Sequence, residues 1–140
     1  ICVIIGDLAH IAHVGDSRLY LISADGIEQV TRDHSLVQRL IELDHITSEE
    51  AAGHSQASVL YRAVGQSDFL EVDTATRRLH SGARIVMCSD GLWGEVTKED
   101  ILALVLNTPN PQDTCDNLIA LANTRGGKDN ITAIVVRMPK

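Results

Sequence analysis

The chain has 140 residues, 44% of them hydrophobic, which is the length and apolar content of one domain with a buried core. Its formal net charge is −7, and no dense Lys/Arg cluster is present to follow a phosphate backbone, which argues against a nucleic-acid partner. No apolar run approaches the roughly 18 residues of a membrane span, and the three cysteines lack the paired spacing of a disulfide framework. These features predict a cytoplasmic domain with no nucleic-acid or membrane partner.

The beginning of the chain predicts antiparallel β structure. Segments rich in Val, Ile and Leu are separated by short loops that contain Gly and Asp, a pattern typical of hairpins. The predicted strands are 2–5, 8–14, 18–23 and 27–30.

The middle of the chain predicts two short helices followed by further strands. Asp33 or Ser35 can cap the first helix, whose apolar residues recur at helical spacing. Thr47 and Glu50 have the spacing of a capping box and predict the start of the second helix. The strands predicted after these helices are 59–64, 69–76 and 84–88.

The last third of the chain predicts two longer helices and a closing strand. Thr97 caps the first of them, with Asp100 in the first turn, where the helix dipole favours an acid. Asn110 precedes Pro111 at the start of the second, since the first helical position needs no N–H donor. A buried strand at 131–136 completes an α+β domain with mostly antiparallel pairing.

Three turns at strand ends contain an aspartate. The turn H-V-G-D-S-R contains Asp16, C-S-D-G-L-W contains Asp90, and G-K-D-N-I-T contains Asp129. Carboxylate oxygens are the ligands that Mg²⁺ and Mn²⁺ prefer. Any one of these aspartates can instead form an Asx turn with its own backbone. Three of them beside strongly apolar strands favour a metal site, but their spacing alone names no reaction.

Five motifs, in this order, resemble the metal-dependent protein phosphatase family, the PPM or type 2C serine/threonine phosphatases. They are H-V-G-D-S-R, T-R-D-H-S, R-A-V-G, C-S-D-G-L-W and G-K-D-N-I-T, and they span nearly the whole chain. The resemblance implies a partial four-layer α-β-β-α sandwich of two mostly antiparallel sheets flanked by helices. It also implies hydrolysis of phosphoserine and phosphothreonine in proteins by a water that bound Mn²⁺ or Mg²⁺ ions activate.

The resemblance also implies which residues hold the metal ions. Asp90 and Asp129 match the two carboxylates that bind the first ion. Asp16 matches a residue that helps to hold a further ion together with Asp90. Asn130 would orient the Asp129 loop without binding metal itself. Beyond these ligands, no catalytic residue is carried over to this chain.

The family's D-G-x-G-G motif, whose aspartate bridges the two main ions, is not among these 140 residues. We therefore expect residues 1–140 to be one truncated catalytic domain that lacks the family's N-terminal third and has little or no activity alone. A second class of function stays open, a non-catalytic phosphatase-like module that binds a protein or a phosphorylated partner. Truncation would leave strand edges exposed, which predicts a homodimer.

Overall fold

A computed structural model describes residues 1–23, 25–66 and 68–139. Within these ranges the strands are β1 (Cys2–Ile5), β2 (Leu8–His13), β3 (Arg18–Ser23), β4 (Gly26–Gln29), β5 (Asp73–Arg78), β6 (Arg84–Cys88) and β7 (Ala133–Arg137). The helices are α1 (Leu36–Glu42), α2 (Ser48–Ala52), α3 (Asp90–Trp93), α4 (Lys98–Asn107) and α5 (Pro111–Thr124). None of the described helices is long and apolar enough to cross a membrane.

The strands form two antiparallel sheets, a smaller one in the order β1-β2-β5 and a larger one in the order β4-β3-β6-β7. Side chains of β3 and β6 alternate between two apolar clusters, as successive residues of a strand must. Leu19 and Ile85 pack with Ala9 and Ile11 of the smaller sheet. The other face of the larger sheet packs against helices. The predicted α+β class, with two antiparallel sheets and flanking helices, is confirmed.

Helices α4 and α5 cover the second face of the larger sheet. Val86 of β6 packs there with Ile101 of α4 and Leu118 of α5, and all three are buried. The predicted caps are present, because the Thr97 side chain accepts from the third amide of α4 and the Asn110 side chain accepts from the amide of the second residue of α5. Each of the two helices that cover the larger sheet thus begins at a side-chain cap.

The segment before β5 differs from its prediction. The predicted strand 59–64 is wrong, because its one β contact is an isolated bridge between Ser35 and Leu60. Its apolar side chains Val59 and Val64 are exposed, so apolar content there did not reflect burial in a sheet. The next predicted strand, 69–76, begins only at Asp73, where pairing with β2 begins.

Candidate metal centre

Three strand ends meet at one edge of the larger sheet. Arg18, the first residue of β3, pairs with Cys88, the last residue of β6, and Cys88 pairs with Ala133, the first residue of β7. Each predicted metal ligand lies within four residues of one of these positions. The register therefore brings three turns of the chain to the same edge, and these turns contain Asp16, Asp90 and Asp129.

Ser89 joins the loop after β6 to the loop before β7. Its hydroxyl donates to the Asn130 carbonyl at 3.0 Å and accepts from the Thr132 amide at 3.0 Å. Its own amide donates to the Thr132 carbonyl at 3.1 Å. The loops that contain Asp90 and Asp129 are therefore tied together by three hydrogen bonds.

Gly91 shows how closely these two loops approach. A Cβ atom at this position would lie 2.4 Å from the Asn130 carbonyl oxygen, so only glycine admits the contact. The turn that contains Asp90 forms a short helix. Asp90 is the first residue of α3, and its Oδ1 accepts from the Gly91 backbone amide at 2.9 Å. Similarly, Oδ1 of Asp129 accepts from the Asn130 amide at 2.6 Å. Both carboxylates are thus restrained by the amide of the next residue.

Trp93 joins the third turn to the other two. Its indole N–H donates to the Asp16 carbonyl at 2.9 Å, and the guanidinium carbon of Arg18 lies 3.6 Å from the centre of its ring system. Arg18 also binds Asp33 through two nitrogens, with Nη2 at 2.7 Å from Oδ2. The Asp33 side chain is only 4% exposed and that of Arg18 is 20% exposed, so the carboxylate of this charge pair is buried and its partner is partly so.

The Arg18–Asp33 pair was not predicted from the sequence. The signal available was an arginine at the start of an apolar strand, together with an aspartate that had been considered only as a helix cap. The cap itself is Ser35, whose side chain accepts from the Gln38 amide. Pairing partners 15 residues apart are set by the fold and have no local spacing rule.

Negatively charged side chains lie close together at these strand ends of the larger sheet. Burial, and then the charge of Asp90, raise the pKa of Asp16 above its ordinary value. A cation between these two carboxylates would offset both the desolvation and the repulsion, so hard oxygen ligands and their environment fit Mg²⁺ or Mn²⁺. Among the described residues, no group of three or more His, Cys, Asp and Glu side chains is arranged to hold a metal. The roles of Asp16, Asp90, Asp129 and Asn130 stay predictions.

The comparison with protein families matches residues 1–52 to the protein phosphatase 2C model. Protein phosphatase PhpP of Streptococcus pneumoniae is 38% identical over 135 residues, which cover 96% of this chain and 55% of the relative. Serine/threonine phosphatase stp of Listeria innocua is 37% identical over 126 residues, 90% of this chain and 50% of the relative. The chain thus spans about half the length of the curated relatives it matches.

Solved structures of serine/threonine phosphatases are also similar to this chain in fold. The Streptococcus agalactiae serine/threonine phosphatase superposes with a TM-score of 0.93 at 35% identity, over 99% of this chain and 57% of that one. The Mycobacterium tuberculosis phosphatase PstP/Ppp gives a TM-score of 0.92, also at 35% identity, over 99% of this chain and 58% of that one. In sequence and in fold, the chain matches the protein phosphatase 2C family, and the resemblance predicted from its motifs is confirmed.

Proposed function

We propose that this chain contributes Asp16, Asp90 and Asp129 to the Mn²⁺ or Mg²⁺ centre of a protein serine/threonine phosphatase. The observation that carries the proposal is the convergence of three aspartate-containing turns at one sheet edge, where Ser89 and Trp93 tie them together. A structural neighbour, the catalytic domain of the serine/threonine protein phosphatase PstP, was solved in complex with two manganese ions. Its metal content supports the same donor chemistry here.

When bound, such ions lower the pKa of a water molecule and stabilise charge on the phosphoryl oxygens of a phosphoserine or phosphothreonine. The chain's part is to hold anionic donors in place. Gly91 allows the Asp90 and Asp129 loops to approach, and the Asn130 amide restrains the Asp129 carboxylate. Asp16 lies close enough to Asp90 for that charge to raise its pKa. Because these side chains are already restrained, they lose less conformational entropy when a metal binds.

We propose further that residues 1–140 form part of the catalytic domain of a phosphatase that acts on phosphoproteins in cytoplasmic signalling. The aspartate of the family's D-G-x-G-G motif, expected to bridge the ions, is not among these residues. We therefore expect the 140 residues alone to hydrolyse a phosphopeptide slowly or not at all. Turnover by the pure chain in Mn²⁺, at a rate equal to that of a relative such as PhpP, would contradict this expectation.

Calorimetric titration with Mn²⁺ tests the proposed site. Replacing Asp90 or Asp129 by Asn removes a charged ligand, and we expect each variant to bind Mn²⁺ at least about tenfold more weakly than the parent chain. Asp113→Asn, on α5, is the matched control and should bind like the parent. Equal Mn²⁺ affinity in all four proteins would refute the site. Retained phosphopeptide binding without Mn²⁺ binding would support the non-catalytic module instead.

A further inference from the structure

His34 is buried beside the Asp16 turn and contacts it at two points. Its side chain is 1% exposed. The His34 backbone amide donates to the Gly15 carbonyl at 2.8 Å, and the Gly15 amide donates to His34 Nδ1 at 3.1 Å. Both backbone polar groups of Gly15 are thus held by one residue, 19 positions further along the chain.

This contact acts where the chain crosses between the two sheets. Strand β2 belongs to the smaller sheet and β3 to the larger one, so residues 14–17 lie outside both ladders. The position of Asp16 therefore depends on contacts other than strand pairing. Trp93 holds the Asp16 carbonyl, and His34 holds the residue before it. Gly15 itself has φ of 104°, a conformation that favours glycine.

The second ring nitrogen of His34 is held by Asp73, with Nε2 at 3.1 Å from Oδ2. A backbone amide can only donate, so Nδ1 presents its lone pair to Gly15 and the proton of the neutral ring lies on Nε2, facing Asp73. Asp73 is held in turn by Arg62, whose Nη1 lies 2.9 Å from Oδ1. Contacts on both nitrogens therefore fix the orientation of the ring.

We infer that His34 is a positioning residue for the metal centre, because its Nδ1 holds the Gly15 amide and thereby places the Asp16 carboxylate beside Asp90. The inference rests on the proposed function of Asp16 as a ligand. Filling space is the competing role, since the ring centroid lies 5.1 Å from that of His13 and 5.7 Å from that of Tyr61. A useful test separates the Nδ1 contact from the packing of the ring.

Substitution of His34 by asparagine or by glutamine distinguishes the roles of its two ring nitrogens. In His34→Asn the amide oxygen takes the place of Nδ1 and can still accept from Gly15. In His34→Gln the amide reaches the position of Nε2, and the acceptor at Nδ1 is lost. Both changes remove the ring, so the loss of packing is common to the two variants.

The measured quantity is the affinity of the Mn²⁺ site that we expect Asp16→Asn to abolish. We expect His34→Gln to weaken this affinity about ten- to a hundredfold, while His34→Asn stays within a few-fold of the parent chain. In metal-free protein, hydrogen exchange of the Gly15 amide, measured by NMR, should accelerate in His34→Gln and not in His34→Asn. Equal affinities and equal Gly15 exchange in the two variants would show that His34 acts by packing alone and would overturn the inference.

The two readouts also separate this inference from the proposed function. If the parent chain binds no Mn²⁺, the proposed ligand role of Asp16 fails and the positioning role fails with it, whatever the Gly15 amide shows. If the parent binds Mn²⁺ and the two variants do not differ, only the role of His34 fails. The exchange measurement then shows whether the Gly15 contact was lost without effect on the metal.

Asp73→Ala provides a variant that does not disturb the core, because the Asp73 side chain is 40% exposed. It removes the carboxylate that faces Nε2 of His34 and leaves Arg62 there, with Nη1 at 3.3 Å from Nε2. The variant should accelerate Gly15 exchange and weaken Mn²⁺ binding a few-fold. Glu71→Ala is the matched control, since Glu71 binds the same arginine, Arg62, through Nη2. The control should change neither quantity. Identical behaviour of the two variants would count against the contact between Asp73 and His34 as an anchor.

Discussion

The two sheets of this protein are covered to different extents. In the larger sheet, Val86 packs against Leu118 of α5 with both side chains 0% exposed, and Ile85 is buried on the opposite face. In the smaller sheet, the edge strand β1 exposes apolar side chains, with Val3 at 50% and Ile5 at 64%. The proposed ligands follow or precede strands of the sheet that is packed on both faces. Precise placement of charged ligands is thus supported by the better-packed half of the molecule.

An arginine of each sheet forms a charge pair, and the two pairs differ in burial. Arg18 of the larger sheet pairs with Asp33, which is buried, and its guanidinium also lies over the Trp93 ring. Arg77 of the smaller sheet pairs at 2.8 Å with Glu28 of β4, a strand of the larger sheet, and both side chains are more than a third exposed. Water competes for this pair at both side chains, whereas the Asp33 carboxylate of the first pair is shielded from it. The two arginines therefore compare a pair that has a buried carboxylate with a pair that is exposed on both sides.

Replacing these arginines should give the largest difference between the sheets. Arg18→Ala leaves Asp33 buried without its main counter-charge, and we expect a loss of about 3–5 kcal/mol in the free energy of unfolding. Arg77→Ala removes an exposed pair and should cost about 0–1 kcal/mol. Urea denaturation followed by circular dichroism measures both values. Similar losses in the two variants would show that burial of the carboxylate does not decide what each charge pair contributes.

A methyl group at position 91 should directly disturb the proposed metal site. Gly91→Ala would place Cβ 2.4 Å from the Asn130 carbonyl oxygen, so the Asp90 and Asp129 loops must move apart. We expect a loss of about 1–3 kcal/mol in the free energy of unfolding, together with weaker Mn²⁺ binding in calorimetry. Gly53→Ala is the control, because nothing lies within 4 Å of its Cβ position. Unchanged Mn²⁺ affinity in Gly91→Ala would contradict the proposed closeness of the ligands.

The exposed edge of the smaller sheet predicts self-association. An apolar edge strand offers unpaired backbone groups to a second copy, whereas charges on an edge discourage this pairing. We expect the chain to form dimers at about 100 μM, Val3→Lys in β1 to be monomeric, and Thr74→Lys in β5 to associate like the parent. Analytical ultracentrifugation distinguishes these cases. A monomeric parent chain at this concentration would show that the β1 edge is not used.

Features set by neighbouring residues could be predicted from the sequence. The capping box predicted at Thr47 and Glu50 is present, and the predicted cap Thr97 also binds the residue three positions further on. The strand predicted at 59–64 failed because a strand also needs a partner, and its one β contact is a bridge from Ser35 to Leu60. Propensity alone does not decide pairing with a distant segment.

In the candidate site too, local features could be predicted and long-range contacts could not. The three aspartates were found from local turn motifs, but their convergence depends on the register of β3, β6 and β7. The sequence singled out His34 only as part of the T-R-D-H-S motif, whereas in the structure it binds Gly15 and lies beside Asp73. These contacts join segments 19 and 39 positions away in the chain. No periodicity or spacing rule covers contacts of this kind, so the structure was needed to find them.

The smallest expected effect lies at the start of α4, on the helical cover of the larger sheet. Hydrogen bonds from Arg125 and Thr97 lower the pKa of Asp100 to about 2. In the unfolded chain the pKa of an aspartate is about 3.9, so the charged carboxylate stabilises the folded state above that pH. This contribution is lost as the pH falls from about 4 to about 2. Thermal unfolding midpoints of Asp100→Asn and the parent should therefore differ at pH 7 and converge in acid.

The control for Asp100 is Asp113→Asn, which changes the acid at the corresponding position of α5. Its difference from the parent should be smaller at pH 7, because the Asp100 carboxylate binds an arginine and both the amide and the hydroxyl of its cap residue. The pair is partly exposed, so added salt should reduce the Asp100 effect at pH 7 as well. A difference between Asp100→Asn and the parent that stays constant from pH 7 to pH 2 would show that the lost stability comes from the shape of the side chain. Convergence in acid would show that it comes from the charge.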